Sequence, residues 1–425
     1  MTDTRAGTAW SVTRNATWLA AARVTSQLLA VVLTIVLARG LGTVGFGRYA
    51  LVGAVVMIAN TVTTFGTDAL LIRELAKGRD DPGHLATSAI VLQLLLSTAS
   101  VIIIVAGAGA LPNRSPDTIA ALRIYALALL PLAFFSVFSA ALRGWERMDL
   151  YARLTVGTAT LQTAAALLAL HLGARLPQVM GALLLAQVGA AALGWWLCRL
   201  ARPGFALRSW RAAPGLGSLV ASSWLLAILS GLSMVSQRLG VVMLSWLAGD
   251  APAGLFAAAA RVVEALKLGN YALSGAMLPV ASRLTSQQAS GPSLAPGPSL
   301  TTLLQGSQVV LLGIATLAAA GATLFAAPLV TVLYGHAYGP AVAALRILAW
   351  ALIPAAVAAP VSMYLVSAGL ERIALGAIAL AVTVTLGLGV WFIPRTGISG
   401  ACAAVVAGEL IQAAGLFVGG RRRVR

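Results

Sequence analysis

The stretch Ala120–Pro131, AALRIYALALLP, returns almost unchanged as Ala343–Pro354, AALRILAWALIP, with nine of twelve positions identical. Each copy runs into a hydrophobic segment that closes on Gly-x-Glu-Arg: Gly144, Glu146 and Arg147 in the first, Gly369, Glu371 and Arg372 in the second. Upstream, Leu41–Ala50 (LGTVGFGRYA) is echoed by Ala248–Ala257 (AGDAPAGLFA). The echo keeps Gly42/Gly249, Gly47/Gly254, an aromatic at Tyr49/Phe256 and the final alanine. A chain that repeats itself in this way is built from two related halves. The expected boundaries are an N-terminal lobe over 1–200, a linker over 201–216 and a C-terminal lobe over 217–425.

Composition says what solvent those halves face. Hydrophobic residues make up 59% of the chain and charged residues 10%, against about 45–50% and about 25% in soluble domains. Mean hydropathy is +0.91. This is the composition of a polytopic membrane protein. A helix crosses the hydrocarbon with about 20 apolar residues. Twelve such runs occur, near 17–38, 48–72, 86–108, 119–142, 154–172, 178–198, 217–247, 254–281, 301–326, 341–368, 373–393 and 398–419. The expected fold is all-α: twelve transmembrane helices in two six-helix bundles, related as a parallel repeat.

The net charge of +17 is distributed in a telling way. Of 29 Lys and Arg residues, eighteen flank the runs on one side and five on the other. Basic flanks set orientation through the positive-inside rule, so both termini are expected in the cytoplasm. The charge is then a topological anchor, and no nucleic-acid partner is expected. Six cations remain inside the runs: Arg23, Arg123, Arg238, Arg261, Lys267 and Arg346.

Several chemistries find no counterpart. Cys198 and Cys402 fall in different halves and make no disulfide framework. His84, His171 and His336 are scattered, with no metal-ligand spacing, and no GxxxxGK[ST] phosphate loop occurs. No catalytic residue, metal site or cofactor is expected, and the chain is not read as an enzyme. Transport would draw on an H+ or Na+ gradient or on a partner. The first run contains Arg23 and lacks a small-residue cleavage site, so it reads as a retained helix.

Polar residues inside the runs mark the faces turned from lipid. Arg23, Ser26, Gln27 and Thr34 share one face of the first helix. A lipid-facing arginine at mid-helix costs about 2.5–3.5 kcal/mol, so that face should meet protein or water. The second run shows Asn60, Thr64 and Thr67 with Asp68 beside them. The seventh places Ala227, Gly231, Met234, Arg238 and Ser245 on one face. In the eighth, Arg261, Glu264 and Lys267 stand three apart, so Glu264 can pair with either neighbour. Glu409 and Gln412 in the last run read either as an interhelical hydrogen-bond pair or as part of a site. Arg123 and Arg346 sit near the outer boundary, where long side chains snorkel to headgroups. Pro131 and Pro354 should kink their helices at equivalent depth. The Gly-rich segment 37–49 reads as a tight turn between the first two helices, and Ser282–Leu300, rich in Ser, Pro and Gly, as a cytoplasmic linker.

The Arg39-x-Leu41-Gly42-x3-Phe46-Gly47 turn, the Phe65-Gly66-x-Asp68-x4-Arg73-Glu74 ending of the second run and the Gly144-x-Glu146-Arg147 exit of the fourth resemble the Wzx-type polysaccharide flippases. These belong to the multidrug/oligosaccharidyl-lipid/polysaccharide exporter superfamily, whose fold is MATE-like. The second half keeps the pattern in Gly249–Phe256, Leu278–Arg283 and Gly397–Ala401. Many relatives place an aspartate where this chain has Gln237-Arg238.

The resemblance implies a flippase that moves an undecaprenyl-pyrophosphate-linked oligosaccharide from the cytoplasmic to the outer leaflet of a bacterial inner membrane by alternating access, for surface polysaccharides such as O-antigen or exopolysaccharide. A polysaccharide polymerase and a chain-length regulator are the proteins such an exporter would work with. Arg23, Gln27, Arg238, Arg261 and Lys267 are the candidate substrate-binding residues, and Asp68, Glu264 and Glu409 the candidates for coupling or charge pairing. Cations outnumber carboxylates within the runs, which suits an anionic lipid pyrophosphate. Two alternatives stand beside this reading: a cation-coupled multidrug exporter, which would need cavity carboxylates, and a membrane glycosyltransferase or ligase, which would need a large outer loop and a catalytic carboxylate.

Overall fold

The computed structural model describes residues 3–77, 82–109, 114–207, 216–267, 300–367 and 370–424. Among them every regular element is helical: α1 (Asp3–Thr64), α2 (Thr67–Lys77), α3 (Pro82–Ala108), α4 (Pro116–Ala126), α5 (Leu129–Gly144), α6 (Met148–His171), α7 (Leu176–Ala201), α8 (Leu216–Leu247), α9 (250–267), α10 (Leu300–Leu324), α11 (Ala326–Tyr334), α12 (Ala341–Leu348), α13 (Leu352–Ser367), α14 (Glu371–Thr396) and α15 (Ile398–Val424). Short 3₁₀ turns cover His336–Tyr338 and Ala349–Ala351.

Nine helical segments are long and apolar enough to cross a bilayer among the described residues, or ten if the bent pair Gln308–Leu324 and Ala326–Tyr334, at 71°, is one span. The difference from twelve runs has two sources. Run 17–38 and run 48–72 up to Thr64 share the single helix α1, and run 254–281 lies partly outside the described residues. Gly42, at φ 68 and ψ 179, interrupts α1. On either side stand about 37 Å and about 33 Å of apolar helix, at 1.5 Å per residue, each enough for one crossing.

The tight turn expected over 37–49 is therefore one left-handed glycine inside otherwise helical chain. A single residue off the α conformation is enough to redirect a helix axis. Its repeat partner Gly249 also has positive φ, 96°, between α8 and α9.

The repeated stretch breaks twice in the same way. Pro131 is the third residue of α5 and Pro354 the third of α13. A proline lacks the N–H and its ring clashes with the carbonyl four residues back, at Leu127 and Trp350. Both copies respond by tightening there: Leu127 and Ala128 donate to Ile124 and Tyr125 three residues back, at 3.2 and 3.0 Å, and residues 349–351 form a 3₁₀ turn.

The chain divides into two compact units, Met1–Met234 and Val235–Arg425. In the first, α5 is central. Val137, Phe138, Ala141 and Leu142 pack with Leu71 and Leu75 of α2, Ile90 of α3, Leu150 and Leu154 of α6 and Leu197 of α7. A Cβ on Gly144 would come within 2.8 Å of Leu75 Cβ and 3.3 Å of the Ile72 carbonyl oxygen, so the first Gly-x-Glu-Arg motif needs its glycine for close approach to α2. The motif then turns through Glu146 at φ 57, and Arg147 grips Asp149 with two hydrogen bonds of 3.0 Å.

Within the expected linker 201–216, Phe205 belongs to this same core and Leu207 packs against it. Phe205 is buried against Trp145 and Trp195, with ring centroids 5.2 and 5.8 Å away, and the Arg202 guanidinium lies 5.0 Å over Trp145. Burying a phenylalanine is worth about 1.5–3 kcal/mol, enough to hold a short segment of chain. Residues 208–215, like the linker expected over 282–300 up to residue 299, lie outside the described residues.

In the second unit α15 lies along α14 and also touches α12 and α13. The seam uses small residues. A Cβ on Gly400 would stand 2.7 Å from the Phe392 carbonyl oxygen, one on Gly408 3.3 Å from that of Ala381, and one on Gly415 3.1 Å from Ala377 Cβ. Small residues let helix backbones approach closely where lipid removes the hydrophobic drive for association.

Candidate functional site

Three helices of the second unit bring five charges together. Arg261, Glu264 and Lys267 stand on one face of α9, Arg238 comes from α8, and Glu409 from α15. Arg238 donates Nη1–H to Glu264 Oε1 at 3.0 Å, and Arg261 donates Nη1–H to Glu264 Oε2 at 2.9 Å. One carboxylate is thus held between two guanidiniums from different helices. Lys267 Nζ donates to Glu409 Oε1 at 2.6 Å. Side-chain exposure is 14% for Arg238, 29% for Glu264 and 32% for Arg261. The cluster is largely, though not wholly, withdrawn from the surface. Tyr334 of α11 donates its hydroxyl to the Ala258 carbonyl of α9 at 3.2 Å and lies within electrostatic reach of Arg261 and Glu264.

Three cations share two carboxylates, so the group keeps one net positive charge. Its pairing departs from local spacing. Of the two neighbours open to Glu264, Arg261 is taken and Lys267 is not; Lys267 reaches Glu409, which does not pair with Gln412. Sequence spacing places side chains on a face of a helix, while the neighbouring helix decides which charge they meet.

The first unit holds a second polar cluster. Ser136 of α5 donates a short hydrogen bond to Asp68 Oδ1 of α2, and Arg143 Nη2 lies 3.8 Å from Asp68 Oδ2. Gln93 of α3 donates Nε2–H to Thr67 Oγ1 at 2.7 Å and reaches Ser136 Oγ at 3.4 Å. The Thr67 hydroxyl proton is already given to the Thr64 carbonyl at 2.7 Å. Both hydroxyls can therefore only accept from Gln93, which fixes its amide nitrogen toward them. Gln93 Oε1 and Ser97 Oγ, one turn further on, are buried with no hydrogen-bond partner among the described residues.

Gln93, Ser136 and Arg143 were not singled out from the sequence. A lone amide within the apolar run 86–108 was the available signal for Gln93. Arg143, just past the run 119–142, reads in the sequence as one of the flanking cations.

The remaining candidates are placed more simply. Arg23 is exposed and Gln27 half-buried on α1. Ser26 donates to the Arg23 carbonyl at 3.2 Å and Thr34 to that of Ala30 at 2.8 Å, so these hydroxyls are satisfied on their own helix. Arg123 and Arg346 are both exposed, at equivalent places in the repeat. Cys198 and Cys402 are each buried and free.

The sequence model of the polysaccharide biosynthesis protein family matches residues 12–285. The chain belongs to this family. The matched part holds Arg23, Gln27, Asp68, Arg238, Arg261, Glu264 and Lys267, and Glu409 lies beyond it. No curated protein matches the chain in sequence.

Among solved structures, this family member is similar to the inward-facing conformation of a multidrug resistance MATE family transporter of the MOP superfamily. The two share 17% identity over 94% of each chain, with a TM-score of 0.79. It is similar to the lipid II flippase MurJ in its inward closed conformation, at 12% identity over 95% of this chain and 87% of that one, with a TM-score of 0.76. It also resembles a MOP superfamily transporter from Pyrococcus furiosus described as having a binding pocket of reverse polarity, at 17% identity over 97% and 95% of the chains, with a TM-score of 0.66. At such identities the likeness establishes the fold, which is that of the MATE transporters.

Proposed function

We propose that this protein is a flippase for a lipid-linked oligosaccharide, carrying an undecaprenyl-pyrophosphate-linked repeat unit from the cytoplasmic to the outer leaflet of a bacterial inner membrane by alternating access. The observation that carries this reading is the group Arg238, Arg261 and Lys267, three cations that converge on Glu264 and Glu409 within an apolar helical bundle. Intramembrane cations are costly, and in transport proteins they mark substrate paths. Arginine forks suit phosphoryl oxygens in particular. Membership of the polysaccharide biosynthesis family and the fold shared with a lipid II flippase support the same substrate class. Energy comes from an H+ or Na+ gradient in this reading, and the polymerase and chain-length regulator of the pathway receive the product outside.

A multidrug exporter of the same fold would attract cationic compounds with carboxylates. Here Asp68, Glu264 and Glu409 each already face a cation of their own unit, at 3.8, 3.0 and 2.6 Å. The anionic substrate is the better match.

The test is surface-polysaccharide complementation at matched protein levels, alongside flipping of the lipid-linked repeat unit in vesicles without ATP. Arg238→Gln, Arg261→Gln and Lys267→Gln should insert normally and abolish export. Arg261→Lys should keep part of it, because the charge remains while the planar fork is lost. Arg123→Gln and Arg346→Gln, both exposed, should complement. Full complementation by the cluster variants with failure of the exposed ones would mean that the charges are structural. A strict ATP requirement of the purified protein would end the secondary-transport reading.

A further inference from the structure

Arg238 and Arg261 each give one Nη1–H to a different oxygen of Glu264, at 3.0 and 2.9 Å. Two guanidiniums brought this close repel one another unless an anion stands between them. Glu264 is that anion, and it is 29% exposed, so the bridge is not sealed in the core. Lys267, one turn along α9, is held by Glu409 at 2.6 Å, which leaves Glu264 to the two arginines. The carboxylate thus presents to the fork what a phosphoryl group would present: two oxygens, each accepting one charge-assisted hydrogen bond.

We propose that Glu264 is an internal stand-in for the substrate's diphosphate, occupying the Arg238–Arg261 pair between turnovers and yielding it when substrate binds. The idea rests on the lipid-diphosphate reading above and gives Glu264 its role within it. Binding is then an exchange of one anion for another. The two Nη1–H donors that Glu264 holds pass from one anion to the other, and a low-dielectric bundle strongly disfavours leaving both vacated at once. Release is an exchange as well. Glu264 is tethered one turn from Arg261, so it competes at high effective concentration and displaces the product without needing a second molecule. An exchange site of this kind binds its substrate less tightly than two bare arginines would, and turns over faster.

The test uses the full chain in lipid nanodiscs with a polyprenyl diphosphate as probe. Glu264→Gln keeps the size and removes the competing charge. It should bind the probe about tenfold more tightly, the scale of one charge-assisted hydrogen bond, and release it more slowly. In the wild type, which needs no variant to fold, carbodiimide labelling mapped by mass spectrometry should rise at Glu264 when the probe is added, because displacement frees the carboxyl. A polyprenol without phosphate should leave the labelling unchanged.

A Glu264→Gln protein that stays folded but binds no more tightly, or labelling that falls or stays constant with the probe, overturns the stand-in role. So does labelling that rises equally with the polyprenol. If the Arg238→Gln/Arg261→Gln protein binds the probe as the wild type does, the lipid-diphosphate reading falls too. If that protein loses binding while Glu264→Gln gains nothing, only the stand-in role is lost.

Discussion

Lys267 and Glu409 are separated by 142 positions and meet at 2.6 Å, with 19% and 23% of their side chains exposed. Such a pair contributes little beyond what matched apolar residues would, but either partner left alone is a desolvated, uncompensated charge. Lys267→Met should therefore destabilise the protein by about 3 kcal/mol, the lower end for a broken buried pair because both groups keep some contact with the surface. Lys267→Met combined with Glu409→Met should recover most of that loss. Thermal melting in detergent measures both, and the difference between the double variant and the sum of the singles is the coupling. If the proposed role of Lys267 in transport holds, export stays lost in the stable double variant, which separates that role from folding. Recovery of export together with stability would make the pair purely structural.

At the scale of elements, helix interruptions are set by one or two residues each. Gly42 has φ 68 with nothing within 4 Å of the position a Cβ would take, so its strain on substitution is conformational and not steric. Gly42→Ala should cost about 1–3 kcal/mol, the penalty for holding a residue with a Cβ at positive φ and extended ψ, a region essentially reserved for glycine. Gly53, in the helical part of α1 that follows, also has open space around it and no positive φ. Gly53→Ala should stabilise by up to about 1 kcal/mol through helix propensity alone. Melting temperatures that move in opposite directions for these two alanines would confirm the break at Gly42, and parallel shifts would refute it. Leu127–Ala128 and Ala349–Ala351 are interruptions of another kind, imposed by Pro131 and Pro354 through a missing donor and a ring clash.

For the molecule as a whole, the eighteen-to-five bias of its flanking cations makes cytoplasmic termini the expected orientation. Reporter fusions after Glu146, Arg202 and Gln288 should report cytoplasm, and those after Asp250 and His336 the outside. A consistent inversion would reverse the direction of export. The all-helical membrane fold, the duplicated halves, the paired proline breaks and a glycine break within 37–49 were legible in the sequence, because apolar run length, proline and glycine act through local backbone physics; which glycine takes the positive φ, Gly42, and its counterpart at Gly249, came from the structure. Helical period also placed Arg261, Glu264 and Lys267 on one face. It could not say that Glu264 would turn to Arg238, that Lys267 would choose Glu409 over its neighbour three residues away, or that Asp68 would meet Ser136, Arg143 and, through the Ser136 hydroxyl, Gln93. Nor could it place Phe205 in the first unit's core when the surrounding stretch read as linker. Those choices belong to the tertiary structure. A charge held away from water takes whichever opposite charge the packed helices bring nearest, and separation along the chain does not enter that energy.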